Sequence, residues 1–349
     1  MIKITVDASK KYDCIIEKGA INKVGEYAKN LGLSGKACII SDTNVAPLYN
    51  EKVRASLENA GFSVCEYIFP AGEESKNAET FIDILEFLAS NNFTRKDTLF
   101  ALGGGVTGDL TGFSAATYMR GINFVQIPTS LLAAVDSSVG GKTAIDLQGG
   151  KNLAGAFYQT EIVIFDPDTL NTLPDEYFSD GMGEVIKYAM IADEGIQALL
   201  ENTEENLEEI IARCIKIKRD IVSEDEFEGG IRRILNFGHT AGHAIEKLMN
   251  FQLSHGACVA IGMCIITRAW EKRGHAENGI CDRLASMCDA FELPTDADIS
   301  AEKLLLASKN DKKAENDGVN IVVPLKVGKC EVVKVSMQEL LNIYKEGLE

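Results

Sequence analysis

Between residues 36 and 166, short apolar, β-branched runs alternate with stretches whose apolar positions recur every three or four residues. The runs are KACIISD (36–42), FSVCEYIF (62–69), DTLFALGGG (97–105), INFVQIPTS (122–130) and EIVIFD (161–166); helical patterns fall at Val53 to Ala60, Phe81 to Ala89 and after the third run. Such alternation predicts βα units around a largely parallel sheet. Ligands are then expected at the carboxyl ends of its strands. After the turn-rich FDPDTLNTLPDEYF the texture changes to long helix-compatible segments, Ile196 to Val222, Thr240 to Met249 and Gly256 to Lys272. NIVVPL followed by KCEVVKV predicts a hairpin before a terminal helix. A chain of 349 residues exceeds the usual size of one domain. The expectation is therefore an α/β domain over 1–172, with a Rossmann-like parallel sheet, and a mostly α-helical domain over 173–349.

Composition narrows the function classes. A hydrophobic content of 46% with 25% charged residues is that of a soluble globular enzyme rather than a disordered chain. The formal charge of −17 repels polyanions, which argues against nucleic acid or an anionic membrane as partner. Any phosphate must be held by locally placed cations. The apolar stretch within 256–266 is too short to span a bilayer, and MIKITVDASK lacks an apolar signal core. Nine scattered cysteines without a C-x-x-C pair read as reduced thiols in a cytoplasm, with no catalytic role.

Three constellations carry candidate chemistry. Gly103, Gly105 and Gly108 form G-x-G-x-x-G after a strand and at the opening of a helix, where exposed amides could hold a pyrophosphate. The same glycines would also serve tight packing. Asp42, ending KACIISD and followed by Asn44, either accepts from an adenosine ribose, favouring NAD over NADP, or caps the helix after it. His239, His243 and His255 lie in one window, LNFGHTAGHAIEKLMNFQLSHG, and suit a divalent ion completed by a carboxylate. His239 and His243 would share a helix face, but spacing does not say which of the three are ligands. The glycine-flanked segment DSSVGGKTAIDLQGGKNLAG holds Asp136, Lys142, Lys151 and Asn152, and suggests cations aimed at a small anion, or else a solvated loop.

Taken together these segments resemble the 3-dehydroquinate synthase family over essentially the whole chain. The matching stretches are SDTNV, GEESKN, LGGGVTGDLTGFSAATYMRGI, IPTSLLAAVDSSVGGKTAID, GKNLAGAF, GMGEVIKYA, LNFGHTAGHAIE and LSHGACVAIGM. The resemblance implies an N-terminal NAD-binding α/β domain and a helical metal-binding domain, with active sites between them in a homodimer. It implies Glu184, His239 and His255 as ligands of zinc or cobalt, which leaves His243 to contact substrate and handle protons. For NAD it points to Asp42, Asn44, Glu73, Lys76 and the turn Gly103, Gly104, Gly105, Val106. It adds Asp109, Thr129, Ser130 and Lys151 to that set, with Lys142 counted for both cofactor and substrate. Substrate contacts fall on Asp136, Lys142, Asn152, Lys187, Lys218, Arg232, Asn236 and His243. A lysine in KNDKKAEN joins them, with Lys312 chosen over Lys313. Arg120, in YMRGI, resembles an arginine offered to the neighbouring subunit's phosphate site. Ser130 replaces the second of a threonine pair common in the family and keeps the hydroxyl, and TAIDLQGGKN departs from a commoner TGVN-type run.

The implied reaction converts 3-deoxy-D-arabino-heptulosonate 7-phosphate to 3-dehydroquinate and phosphate, in the shikimate route to aromatic compounds. A transient ketone at carbon 5 is needed, because the proton beside an alcohol carbon is too weakly acidic to remove. Phosphate then leaves by β-elimination, the carbonyl is reduced again, and ring opening precedes an intramolecular aldol closure. The substrate's carboxylate calls for cations and hydrogen-bond donors, and Arg232, Lys218 and Asn236 are the candidates for that end.

Overall fold

A computed structural model describes residues 1–250, 252–311 and 318–349. Lys312 and Lys313 lie outside the described residues. By backbone proximity the chain divides into two units, Met1–Leu173 with Lys218–Glu226, and Pro174–Ile217 with Phe227–Glu349.

The first unit opens with an antiparallel hairpin, β1 (Ile2–Asp7) and β2 (Lys11–Ile16), and a short helix α1 (Val24–Asn30). Then come β3 (Lys36–Asp42), α2 (Ala46–Asn59), β4 (Ser63–Phe69), α3 (Ala78–Ser90), β5 (Thr98–Gly103), α4 (Gly105–Thr117) and β6 (Asn123–Pro128). A second hairpin, β7 (Lys142–Leu147) and β8 (Gly150–Phe157), precedes β9 (Ile162–Phe165). The main sheet runs β1-β2-β9-β6-β5-β3-β4, parallel throughout except for β1 on its edge. All six residues of β5 and the five central ones of β3 are buried, as expected of strands covered on both faces. One face packs Val24, Val53 and Leu57 against Ile39 and Phe100, while the other packs Ile84, Leu88 and Leu110 against Ile40 and Leu99.

From β3 the chain steps outward to β4, then returns past it to β5 and continues to β6 and β9 in the opposite direction. The carboxyl ends of β3 and β5, neighbours in register through Ser41 and Leu102, therefore form a switch point where ligands bind open α/β sheets. The α/β expectation is met there. Helix α2 starts seven residues earlier than the periodicity predicted, because Pro47 fits its first turn. The lysines of the glycine-flanked segment, for which a solvated loop is one reading, lie on the β7–β8 hairpin, Lys142 opening β7 and Lys151 near the start of β8.

The second unit is built on helices α5 (Asp175–Ile191), α6 (Gly195–Leu200) and α7 (Thr203–Glu224), the last of which ends in residues grouped with the first unit. There follow α8 (His239–Leu248), α9 (His255–Lys272), α10 (Ile280–Asp289), α11 (Ala301–Asp311), the hairpin β10 (Val319–Lys326) and β11 (Lys329–Val335), and α12 (Met337–Leu348). Thirteen of the eighteen residues of α9 are buried, which makes it the central helix of this unit. Ser336 caps α12 by accepting from the Glu339 amide at 3.1 Å. The stretch read as one helix from Ile196 is two, broken between Leu200 and Thr203. Among the described residues, no helix is long and apolar enough to cross a membrane.

Candidate active site

Glu184, His239 and His255 reach one point from three helices of the second unit. Glu184 lies in the middle of α5, and the two histidines open α8 and α9. Three ligand atoms, one from each, lie within 4.8 Å of one another. Glu184 Oε1 is 3.5 Å from His239 Nε2 and 3.4 Å from His255 Nε2. Ligands at ~2.0–2.1 Å around a tetrahedral ion sit about 3.3–3.4 Å apart, so these spacings match those of a zinc- or cobalt-type site almost without adjustment.

The electrostatics agree with that geometry. Glu184 is 1% exposed, a carboxylate almost wholly out of water. Lys187, one turn on, donates to its Oε2, and both side chains are buried. Burial pulls the His239 imidazole down to about 3, with Glu184 only partly opposing it, so the ring is held neutral, the form in which an imidazole can coordinate an ion. Burial also acts to lower His255, but hydrogen bonds to Glu184 and Glu246 outweigh it and raise the ring to about 10. The carboxylates around His255 thus select positive charge at this point.

His243 is not in that group of three. Its ring centroid is 5.4 Å from that of His239 and 6.0 Å from that of His255, and with Glu246 and His255 it makes a second group of neighbouring ligand atoms. Arg232 is buried in a short turn, Ile231–Asn236, that leads to α8. Asn236, ending that turn, donates from Nδ2 to Glu228 Oε1 at 2.6 Å.

The first unit gathers most of the other expected residues in two places. At the switch point, Gly103 ends β5 and Gly104 caps α4 without a side chain, so its opening amides are bare of local caps. A Cβ on Gly108 would lie 2.7 Å from Gln126 Oε1, so this glycine serves close packing of α4 on β6. Asp42 does cap, accepting on Oδ1 from the amides of Asn44 at 2.8 Å and Val45 at 3.1 Å. Its second oxygen faces Thr107 Oγ1 at 3.4 Å, and a carboxylate retains further acceptor positions. Thr129 donates its amide to the Gly103 carbonyl at 3.0 Å, and the Ser130 hydroxyl accepts from the Ala133 amide at 3.3 Å.

Beside the β7–β8 hairpin, buried Lys76 reaches Asp109 Oδ2 at 2.5 Å and Asn152 Oδ1 at 2.6 Å. Asp146 closes the ring by accepting from the Asn152 amide and donating its own amide to the Lys76 carbonyl, both at 2.7 Å. Burial would discharge Lys76, but Asp109, Glu73 and Asp146 hold it charged, above its usual range. Asn152 has φ +56°, a left-handed backbone that an asparagine tolerates at modest cost. Lys151 pairs with Glu73 at 3.7 Å, and Lys142 is exposed at the start of β7. Lys218 donates to the Asp136 carbonyl at 2.6 Å and lies 2.9 Å from its carboxylate, at a single π-helical turn over Ala133–Ser137. Arg120 is exposed in a strained turn where Met119, Arg120 and Gly121 have φ of +50°, +66° and +124°.

Two acidic residues of the second unit escaped the sequence reading. Glu246 sits inside the quoted LNFGHTAGHAIE, one turn past His243, and that spacing was the available signal. Glu228 carries no local pattern; its φ of +61° and its bond to Asn236 appear only in the folded chain.

A family model described as 3-dehydroquinate synthase N-terminal matches residues 66–180, and one described as 3-dehydroquinate synthase C-terminal matches residues 181–314. The chain is 46% identical over 347 residues to a 3-dehydroquinate synthase of Streptococcus thermophilus, covering 97% of each. A solved 2-deoxy-scyllo-inosose synthase, complexed with carbaglucose-6-phosphate, NAD+ and Co2+, superposes with a TM-score of 0.89 at 24% identity, covering 99% of this chain and 100% of that one. A 2-epi-5-epi-valiolone synthase of Streptomyces hygroscopicus, with NAD+ and Zn2+ bound, superposes at 0.87 and 23% identity over 99% of each chain. At such identities the superpositions speak for a shared dehydroquinate synthase-like fold.

Proposed function

The chain belongs to the 3-dehydroquinate synthase family, and from that premise we propose that it converts 3-deoxy-D-arabino-heptulosonate 7-phosphate to 3-dehydroquinate and phosphate, with NAD and one divalent ion, zinc or cobalt. It is an enzyme, a phosphate-eliminating cyclase of the carbon–oxygen lyase type. The observation that carries the reading is the meeting of Glu184, His239 and His255 at metal-ligand spacing, in a chain matched to the family along its length.

Residues 1–172 are assigned mainly to the dinucleotide and 173–349 to metal and substrate; Lys218, although beyond 172, groups with the first unit. When bound, the ion supplies a Lewis acid for the substrate's hydroxyls and NAD a hydride acceptor that is restored within each turnover. Glu184, His239 and His255 hold the ion. The opening amides of α4 at Gly104, Gly105 and Val106 meet the pyrophosphate. Asp42 accepts from the adenosine ribose and repels a 2′-phosphate, with Asn44 beside it. Glu73, Lys76, Asp109 and Lys151 frame the same cofactor, as do Thr129 and Ser130.

In the first unit Lys142 and Asn152 donate to the substrate's phosphate and disperse its charge as it departs. Asp136 and Lys218 are the first unit's other substrate contacts. In the second, Arg232 and Asn236 answer the carboxylate, Lys187 supplies a further cation and His243 handles protons. Lys312 is proposed for the phosphate on family resemblance alone.

A homodimer is the proposed assembly. Exposed Arg120, held in three consecutive left-handed residues, would serve a neighbour's phosphate site, since such strain persists where a function requires it. On β8, Leu153 and Phe157 are 61% and 42% exposed. Nine free cysteines accord with a cytoplasmic location.

Purified protein is incubated with the heptulosonate phosphate, catalytic NAD and Zn2+ or Co2+, with glucose 6-phosphate as a parallel substrate. Phosphate and dehydroquinate should appear in equal amounts with no NADH accumulating. Turnover of glucose 6-phosphate instead, or net NADH, would overturn the assignment.

A further inference from the structure

The two imidazoles of the proposed ion site are oriented differently. His239 turns Nε2 toward Glu184 and places Nδ1 3.1 Å from the Phe237 carbonyl, a fixed acceptor two residues away in its own backbone. His255 also turns Nε2 toward Glu184, but its Nδ1 faces a side chain, Glu246 Oε1, at 3.5 Å. His255 needs such a constraint more, because its side chain is 32% exposed against 13% for His239. Glu246 can supply it: it is 5% exposed on α8, the helix packed against α9 at this point.

We propose that Glu246 is the positioning residue of the ion site, its carboxylate accepting from Nδ1–H of His255 so that Nε2 is presented to the metal. This rests on Glu184, His239 and His255 binding an ion. The carboxylate fixes the tautomer, restrains rotation about the Cβ–Cγ bond and makes the distal nitrogen a stronger donor. Glu246 touches neither substrate nor ion. The competing arrangement uses the same carboxylate as a ligand, because His243, Glu246 and His255 also have ligand atoms within 4.8 Å of one another. His255 would then have to serve two ions through its two nitrogens, at the cost of its Nδ1 proton.

The test measures Co2+ and Zn2+ affinity of the full chain by competition with a chromophoric chelator, for wild type, Glu246→Ala, Glu246→Gln and His255→Ala. Glu246→Ala should weaken binding about 10- to 100-fold at an unchanged stoichiometry of one ion. Its Co2+ absorption bands should keep their positions because the ligand set is the same. Glu246→Gln retains an acceptor oxygen and should lose less than the alanine variant, and NAD affinity should be unchanged in both. Wild-type metal affinity in Glu246→Ala overturns the proposal, as does a wild-type stoichiometry of two ions that falls to one. If the alanine variant does not fold, unchanged affinity in Glu246→Gln overturns it. His255→Ala separates the two readings: if it binds as wild type does, the ion site itself is misassigned, whereas its loss beside an unaffected Glu246→Ala removes only the role of Glu246.

Discussion

Replacing Gly183 by alanine should damage the ion site although no ligand is changed. Gly183 on α5 faces Gly256 on α9, and a Cβ built on it would lie 2.7 Å from both the Cα and the carbonyl oxygen of Gly256. These are backbone atoms, which cannot rotate aside as a side-chain tip could. Ordinary carbon contact needs about 3.5–4.0 Å, so the helices must part by roughly 0.8 Å or more. Glu184 follows Gly183 directly, and His255 directly precedes Gly256. The displacement is therefore delivered to the Glu184 Oε1–His255 Nε2 pair, now 3.4 Å apart. Metal sites tolerate departures of only about 0.2 Å in ligand distance, so binding must be recovered by off-rotamer side chains or repacking. Overpacking of this kind costs about 1–3 kcal/mol, and the share borne only by the loaded site, where the ligands must close to metal distance, weakens ion affinity by up to roughly 150-fold. Alanine also favours the helix over glycine by up to about 1 kcal/mol, which blurs the change in Tm but not the change in metal affinity. Chelator competition on Gly183→Ala is thus the decisive assay. Wild-type affinity and stoichiometry there would show that the α5–α9 approach does not set the ligand spacing.

Lys76→Met leaves Asp109 partly buried without its cation and should lower stability by about 3 kcal/mol, seen as an earlier urea midpoint of the first unit. Adding Asp109→Asn should restore most of it, and a loss well under 1 kcal/mol in the single variant would show that the network carries little. Arg120→Ala and His255→Ala should each be nearly inactive alone. If the arginine serves a partner's site, mixing the two variants under exchange of subunits should return about a quarter of wild-type activity, since half the dimers are mixed and each has one intact site. No recovery, with mixed dimers shown to form, would place Arg120 in its own subunit's chemistry.

The sheet was legible because β3 and β5 are buried on both faces and read as short apolar runs, bounded by turn residues and alternating with helical patterns. The N-terminal hairpin passed unread. IKITVD and KYDCII mix polar with apolar positions, as β1 at the sheet edge permits, and their pairing is antiparallel within an otherwise parallel pattern. The β7–β8 hairpin was hidden for a related reason. Lysine and glycine dominate its ends, and its strands owe their order to contacts of Ile145 and Thr143 with neighbours distant in sequence. On the site, residue type carried far: the cations, the glycine turn and the histidine window were all visible. What they touch was not, because the Lys76–Asp109 and Lys218–Asp136 partners stand 33 and 82 positions apart.

The histidines show why spacing alone stopped short. An i, i+4 pair such as His239 and His243 does share a helix face, yet the face turned to Glu184 belongs to the first turn of α8, where His239 stands as the opening residue. His255 enters from the first residue of another helix. Two helix starts can meet one carboxylate this closely only if the helices behind them nearly touch. Glycine makes that possible: Gly183 meets Gly256, and Gly242 lies against the backbone of Cys258, with a Cβ there only 3.0 Å from its carbonyl oxygen. The proposed ligand set is thus brought together jointly by its own side chains and by neighbouring residues that lack one. A pattern search for ligands sees only the former, so the glycines of GMGE, TAGH and SHG are as much a part of the proposed ion site as the residues beside them.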